Sequence, residues 1–190
     1  GAAAVQAART GQRVPPGSDA VIALAIDIGL TGALAAVDSY GTARVVDLPT
    51  LPDGKTRRLD GRALIVAIRA YVPPGEPAML VFEDVRARPQ GNGGGHGNTM
   101  HSQAAMFGVR RAVEAVCDIA RVEMVTVQPV TWKRSFGLIR LKDEKPDACK
   151  ERGRQVALTL YPSLAAEMKR KMDHNRADAV LMAHWLQGKS

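Results

Sequence analysis

At 190 residues the chain is long enough for one domain with a proper core and leaves no room for a second large lobe. Hydrophobic content of 46% and charged content of 24% are those of a globular protein, and no apolar run reaches the roughly 18 residues of a membrane helix. A net charge of +7 favours a polyanionic partner, and Arg57-Arg58, Arg110-Arg111, Lys133-Arg134 and Lys169-Arg170-Lys171 spread that charge over several elements.

Residues 1–18, Ala-rich and then Gly/Pro-rich, carry Arg9 and Arg13 and no acid, and read as a flexible leader. Residues 19–190 read as a single domain. Ile22 to Ile28 is an almost unbroken apolar run interrupted by Asp27, the pattern of a strand buried on both faces. Gly29 and Gly32 follow it and let the chain turn sharply. Ala33–Val37 and Ala43–Leu48 flank the turn chemistry of Asp38-Ser39-Tyr40-Gly41 and predict an antiparallel hairpin. Pro49, Pro52 and Gly54 open a predicted loop containing Lys55, Arg57 and Arg58. Asp60 is the expected N-cap of a helix through Leu64, Ile65, Ile68 and Tyr71, stopped by Pro73-Pro74. Met79–Phe82 is a short buried strand ending at Glu83-Asp84.

The glycine-rich stretch from Pro89 to Gly97 fits neither GxxxxGK[ST] nor GxGxxG, so a mobile loop is expected and no nucleotide cofactor. Thr99–Ala120 has helical spacing, Met124–Val127 reads as a strand, and Pro129 starts a short helix with Trp132, Lys133 and Phe136. A basic loop at Arg140 and Lys142 precedes a helix over 143–160, and the last helix runs from His174 to Leu186. Cys117 and Cys149 fall in predicted helices without metal-ligand spacing, which implies a reduced interior, cytoplasmic or organellar. Hairpin strands followed by alternating helix and strand give an α/β fold with a mixed sheet flanked by helices.

Three acids end or interrupt apolar segments: Asp27, Glu83 and Asp178. Asp178 shares a helical face with Leu181, Met182 and Trp185, and so points toward the sheet. Three converging carboxylates raise one another's pKa unless cations stand between them, and hard oxygen ligands select Mg²⁺ or Mn²⁺. A fourth ligand is expected just before Asp178. His174, four residues earlier, shares its face, and Asp173 reaches the same place if it precedes the helix as N-cap. An acidic metal pocket in a basic protein is the combination of a nuclease.

The blocks Ile26-Asp27-Ile28-Gly29, Phe82-Glu83-Asp84-Val85, Gln128-Pro129-Val130-Thr131-Trp132-Lys133 and Arg176-Ala177-Asp178-Ala179-Val180-Leu181 resemble, in order, those of RuvC-type Holliday-junction resolvases. The resemblance covers about residues 20–187. It implies an RNase H-like fold, a homodimer, two Mg²⁺ or Mn²⁺ ions in each active site and paired cuts in a four-way DNA junction. Asp27, Glu83 and Asp178 match the metal-binding acids, and His174 or Asp173 the fourth ligand. The family's junction-facing loop and helix correspond to Arg86 to Phe107, with Arg86, Arg88 and Gln103 as DNA contacts; this chain carries glycines and His96 where relatives often carry aromatic residues. Lys133 and Lys142 are expected phosphate contacts, and Trp132 a core residue. Two neighbouring readings share the pocket or the fold: a ribonuclease H acting on RNA–DNA hybrids, and a non-catalytic junction-binding module. Asp27-x-Gly29-x-x-Gly32 also resembles the first phosphate motif of actin–hexokinase phosphotransferases, which need two lobes.

Overall fold

A computed structural model describes residues 21–84 and 100–189, with His101 described by its backbone alone. The predicted leader and the glycine-rich segment, with Arg86 and Arg88, lie outside the described residues. The first apolar run forms β1 (Ile22–Asp27), and the predicted hairpin forms β2 (Ala33–Val37) and β3 (Ala43–Asp47). Asp38 closes that hairpin by accepting hydrogen bonds from the backbone N–H groups of Tyr40 at 3.0 Å and Thr42 at 2.8 Å.

Residues 49–58, read from sequence as a loop, instead build a small ribbon of β4 (Thr50–Asp53) and β5 (Thr56–Leu59) around Gly54-Lys55. Helix α1 (Gly61–Tyr71) starts where expected, the Asp60 carboxylate accepting from Ala63 N–H at 3.1 Å, a cap worth about 1 kcal/mol. Strand β6 (Ala78–Glu83), helix α2 (Met100–Ala120), strand β7 (Glu123–Val127) and helix α3 (Pro129–Ser135) follow. Helix α4 (Pro146–Leu160) starts three residues later than its predicted 143, because Pro146 holds Lys145 extended and itself suits the first helical position. Two short 3-10 turns, Pro162–Leu164 and Lys171–Asp173, lead into α5 (His174–Gln187).

The main sheet is ordered β3-β2-β1-β6-β7. β1 is antiparallel to β2 and parallel to β6, which is parallel to β7. This is the mixed, helix-flanked α/β sheet that the order of elements predicts. Ile22, Leu24, Ile26, Leu80 and Phe82 pack under α1 and α2 with Leu64, Ile68, Val113 and Cys117. Ala23, Ala25, Ala33, Ala35 and Val81 form the other face, on which α5 lies. Four alanines make that floor shallow, so α5 settles deeply and buries Ala177 and Ala179 through Ala183 on nearly every side. Among the described residues no helix is long and apolar enough to cross a membrane.

Candidate active site

Side chains alternate along a strand, so the parity of each core residue says where the acids point. Ala23 and Ala25 face α5, hence Asp27 does too. Val81 faces α5, hence Glu83 does too. One register step beyond the Ile26–Phe82 pair makes Asp27 and Glu83 neighbours across β1 and β6. Asp178 enters from α5, four residues from that helix's first residue, His174. The strand and helix geometry thus brings all three acids to one side of the sheet. Parity separates the two acids at the end of β6: Asp84 accepts from Gln128 Nε2 at 2.6 Å and pairs with Arg110 at 3.7 Å.

The turn that delivers Asp27 is tightly fixed. A Cβ on Gly32 would stand 1.9 Å from the Asp27 carbonyl oxygen, so only glycine fits there. Gly29, singled out equally from sequence, has no such need, since nothing approaches its Cβ position closer than 4.0 Å. Asn175 Nδ2 donates to Thr31 O at 2.7 Å and Thr31 Oγ1 at 3.2 Å, tying this turn to the start of α5.

Burial, and after it the neighbouring acids, raises the proton affinity of Asp27 and Asp178. Burial, then Asp178 and Glu83, pushes the Asp27 carboxyl up from 3.8 to about 8 against the opposing pull of Lys133 and Lys150. Burial also pushes Asp178 up to about 6, with Glu83 adding to it and the two lysines resisting. Glu83 is held differently. Its Oε1 accepts from the indole N–H of Trp132 at 3.0 Å, and Lys133 Nζ stands 3.6 Å from the same oxygen and 5.0 Å from the Trp132 ring centroid. Trp132 is a core residue, 0% exposed, and also the group that orients Glu83, a role its sequence context did not reveal.

Among the described residues no three His, Cys, Asp or Glu side chains are gathered tightly enough to ligate one ion. The acids feel one another's charge without closing on a single point, and Lys133 supplies the nearest counter-charge to Glu83. Asp173 is occupied elsewhere. It is 4% exposed, and its carboxylate accepts from Arg170 N–H at 2.7 Å and from the Arg170 guanidinium at 2.8 and 3.1 Å. Burial works to raise its pKa, and the Arg170 bonds outweigh that and leave it lowered. Asp173 precedes α5 as its N-cap residue, as the sequence reading has it, and its carboxylate is engaged by the backbone N–H and the guanidinium of Arg170. His174 is partly buried, its pKa lowered by burial and by Lys150, which also acts on Asp27 and Asp178.

Lys150 is the site residue that sequence reading missed. It comes from α4, one turn before Gly153 and two before Ala157, the small buried residues that seat α4 against the core. That spacing was the available signal: a lysine on the stripe of a helix that packs inward. A cavity of about 280 Å³ is lined by Asp178, Lys133, Lys150, Leu138, Ile139 and Arg140 among others, and by neither Asp27 nor Glu83. Lys142 is exposed beyond it, and Gln103 is partly buried on α2. A hollow of about 630 Å³ lies at the other end of the sheet, where β6 and β7 begin, and contains none of the predicted site residues.

No protein-family model matches the chain, and no curated protein matches it. Among solved structures, T. thermophilus RuvC in complex with a Holliday junction substrate aligns over 90% of this chain and 95% of its own, with 13% identity and a TM-score of 0.46. Thermus thermophilus RuvC in a second structure aligns over the same shares with 14% identity and a TM-score of 0.38. In fold, the chain is similar to RuvC.

Proposed function

We propose that this chain is a divalent-cation-dependent endodeoxyribonuclease that resolves four-way DNA junctions, with residues 19–190 as its single nuclease domain. The observation that supports this reading is that Asp27, Glu83 and Asp178 share the α5 side of the sheet, where burial and then the charges of Asp178 and Glu83 raise Asp27 to about 8. Lys133 and Lys150 offset only part of that negative charge. The carboxylate oxygens suit Mg²⁺ or Mn²⁺ and suit zinc poorly. Asp27, Glu83 and Asp178 would hold two such ions, with His174 as a further ligand. Bound there, such ions would supply activation of a water for in-line attack and charge neutralisation at the leaving oxygen, chemistry that gives 5′-phosphate and 3′-hydroxyl ends.

The chain's own groups supply the rest. Trp132 fixes Glu83 by one oxygen and leaves the other free for a ligand. Lys133 and Lys150 set positive charge beside the acids, where an entering phosphate needs it. Lys142, Arg86, Arg88 and Gln103 act as phosphate contacts that hold the DNA without reading its sequence. A homodimer sets two such pockets on opposite strands and so makes paired nicks.

The test is a labelled four-way junction, a matched duplex and an RNA–DNA hybrid, each incubated with and without Mg²⁺. Symmetric nicks in the junction alone, absent in EDTA, are the expected result. Preferential cutting of the hybrid would replace the reading with a ribonuclease H. Tight junction binding without cutting, indifferent to Mg²⁺ and to Asp27→Asn, would replace it with a binding module. Junction affinity should fall steeply with salt, and a flat response would remove the phosphate-contacting face.

A further inference from the structure

Between α3 and α4 the chain crosses Gly137, Leu138, Ile139, Arg140, Leu141 and Lys142. Leu138 anchors this loop in the core at 3% exposure, yet its neighbours Ile139 and Leu141 are 41% and 68% exposed. A single exposed aliphatic side chain needs no explanation. Two of them, alternating with Arg140 and Lys142 on a loop fastened from beneath, do.

The fastening comes from Arg152 and Cys149 on α4. The Arg152 guanidinium donates to the carbonyl of Gly137 and, at 3.3 Å, to that of Ile139, and binds Glu144 at 2.8 and 3.1 Å. Glu144 in turn accepts from Leu141 N–H at 3.1 Å, and its own N–H donates to Leu141 O at 3.2 Å. Cys149 Sγ lies 3.6 Å from Leu138 O. These bonds fix the backbone on both sides of each exposed aliphatic residue, which removes most of the ordering cost of a later contact. Ile139 and Arg140 also line the cavity that contains Asp178, so the loop tip is continuous with the acidic site.

We propose that this loop is a pre-shaped contact for nucleic-acid bases unstacked at a branch point. Ile139 and Leu141 meet the exposed base faces while Arg140 and Lys142 meet the flanking phosphates. The inference rests on the nuclease reading above. A continuous duplex buries its base faces, so the two aliphatic side chains contribute only where stacking is broken.

The test is the double variant Ile139→Ser/Leu141→Ser, assayed with a four-way junction carrying 2-aminopurine beside the branch and with a duplex of equal length. The expected result is loss of the fluorescence rise on binding and about a tenfold weaker junction affinity, equivalent to about 1.4 kcal/mol, with duplex affinity changed by less than about twofold. A variant that binds and opens the junction like the parent, while the parent cuts it, overturns the loop assignment and leaves the nuclease reading standing. A parent that neither binds nor cuts junctions overturns both. If the parent sediments as a dimer and the variant as a monomer, the loop is a self-association surface and the assignment falls.

Discussion

Asp27→Asn should make the cation-free protein more stable while abolishing cleavage. Asp27 is the most strongly perturbed acid of the site, its carboxyl pushed up from 3.8 to about 8 by burial, Asp178 and Glu83. The folded protein therefore binds this proton more tightly than the unfolded chain does. The stability it contributes is present in full below about pH 4 and is lost as pH rises toward 8. At about 1.4 kcal/mol for each pH unit of displacement, the ionised carboxylate carries a cost of up to ~6 kcal/mol at alkaline pH. Side-chain relaxation and an effective dielectric of about 20 leave roughly 2–3 kcal/mol of that to be recovered by a neutral amide of the same shape.

Urea denaturation followed by circular dichroism in EDTA measures this directly. At about pH 8.5 the Asn variant should unfold at higher urea than the parent, and by about pH 5 the gap should shrink to a third or less. Mg²⁺ should then stabilise the parent and leave the variant unmoved, by ~2.7 kcal/mol at a hundredfold excess over Kd. A variant that is less stable than the parent at both pH values, or a gap independent of pH, would refute the account of a buried, only partly compensated site.

Three further outcomes follow from individual contacts. Gly32→Ala forces a Cβ to 1.9 Å from the Asp27 carbonyl, so thermal unfolding should show a loss of at least ~2 kcal/mol, and a parental Tm would contradict the turn geometry. Trp132→Phe removes the 3.0 Å hydrogen bond to Glu83 and should lower the cleavage rate with a stability loss of ~1–3 kcal/mol; unchanged kcat would mean that Glu83 needs no orientation. Asp173→Asn removes the ion pair with Arg170 and weakens the bonds Asp173 accepts from it, and should cost ~1–2 kcal/mol while Mg²⁺-dependent cleavage survives, whereas His174→Ala should impair cleavage. The reverse pattern would return the fourth-ligand role to Asp173.

Much of this architecture is legible in the chain because its main sheet obeys simple patterns. The apolar run of β1, the Asp38 turn and the Asp60 cap each state their structure within a few residues. The β4–β5 ribbon escaped because it has almost no apolar alternation: Leu51 and Leu59 stand among Thr50, Pro52, Asp53, Thr56, Arg57 and Arg58. It is held partly by the Arg57 side chain donating to Thr50 Oγ1 at 2.7 Å, a contact no periodicity reveals. Asp178 is the least legible of the three acids in the sequence. A helix face shared with Leu181 and Met182 discriminates little in α5, which is buried almost all round. Lys150 and the orientation of Glu83 by Trp132 depend on elements far apart in sequence, and only the packed helices bring them together.

What places the acids together is the parity of two strands. Asp27 and Glu83 each end a strand, and each lies an even number of residues from the residues of its strand that face α5: Ala23 and Ala25 in β1, Met79 and Val81 in β6. A slip of one residue in either strand would turn that acid toward α1 and α2, onto the apolar side that holds Leu64, Ile68 and Val113. Burial there without a partner would cost more than the fold could bear. The same alanine floor that lets α5 sink against β1 and β2 brings Asp178 near enough to raise the proton affinity of Asp27. Core packing and site chemistry are therefore one constraint here. Enlarging Ala25 or Ala35 to valine would lift α5 away from the sheet, weaken that coupling and lower the pKa of Asp27, even though neither alanine touches a substrate.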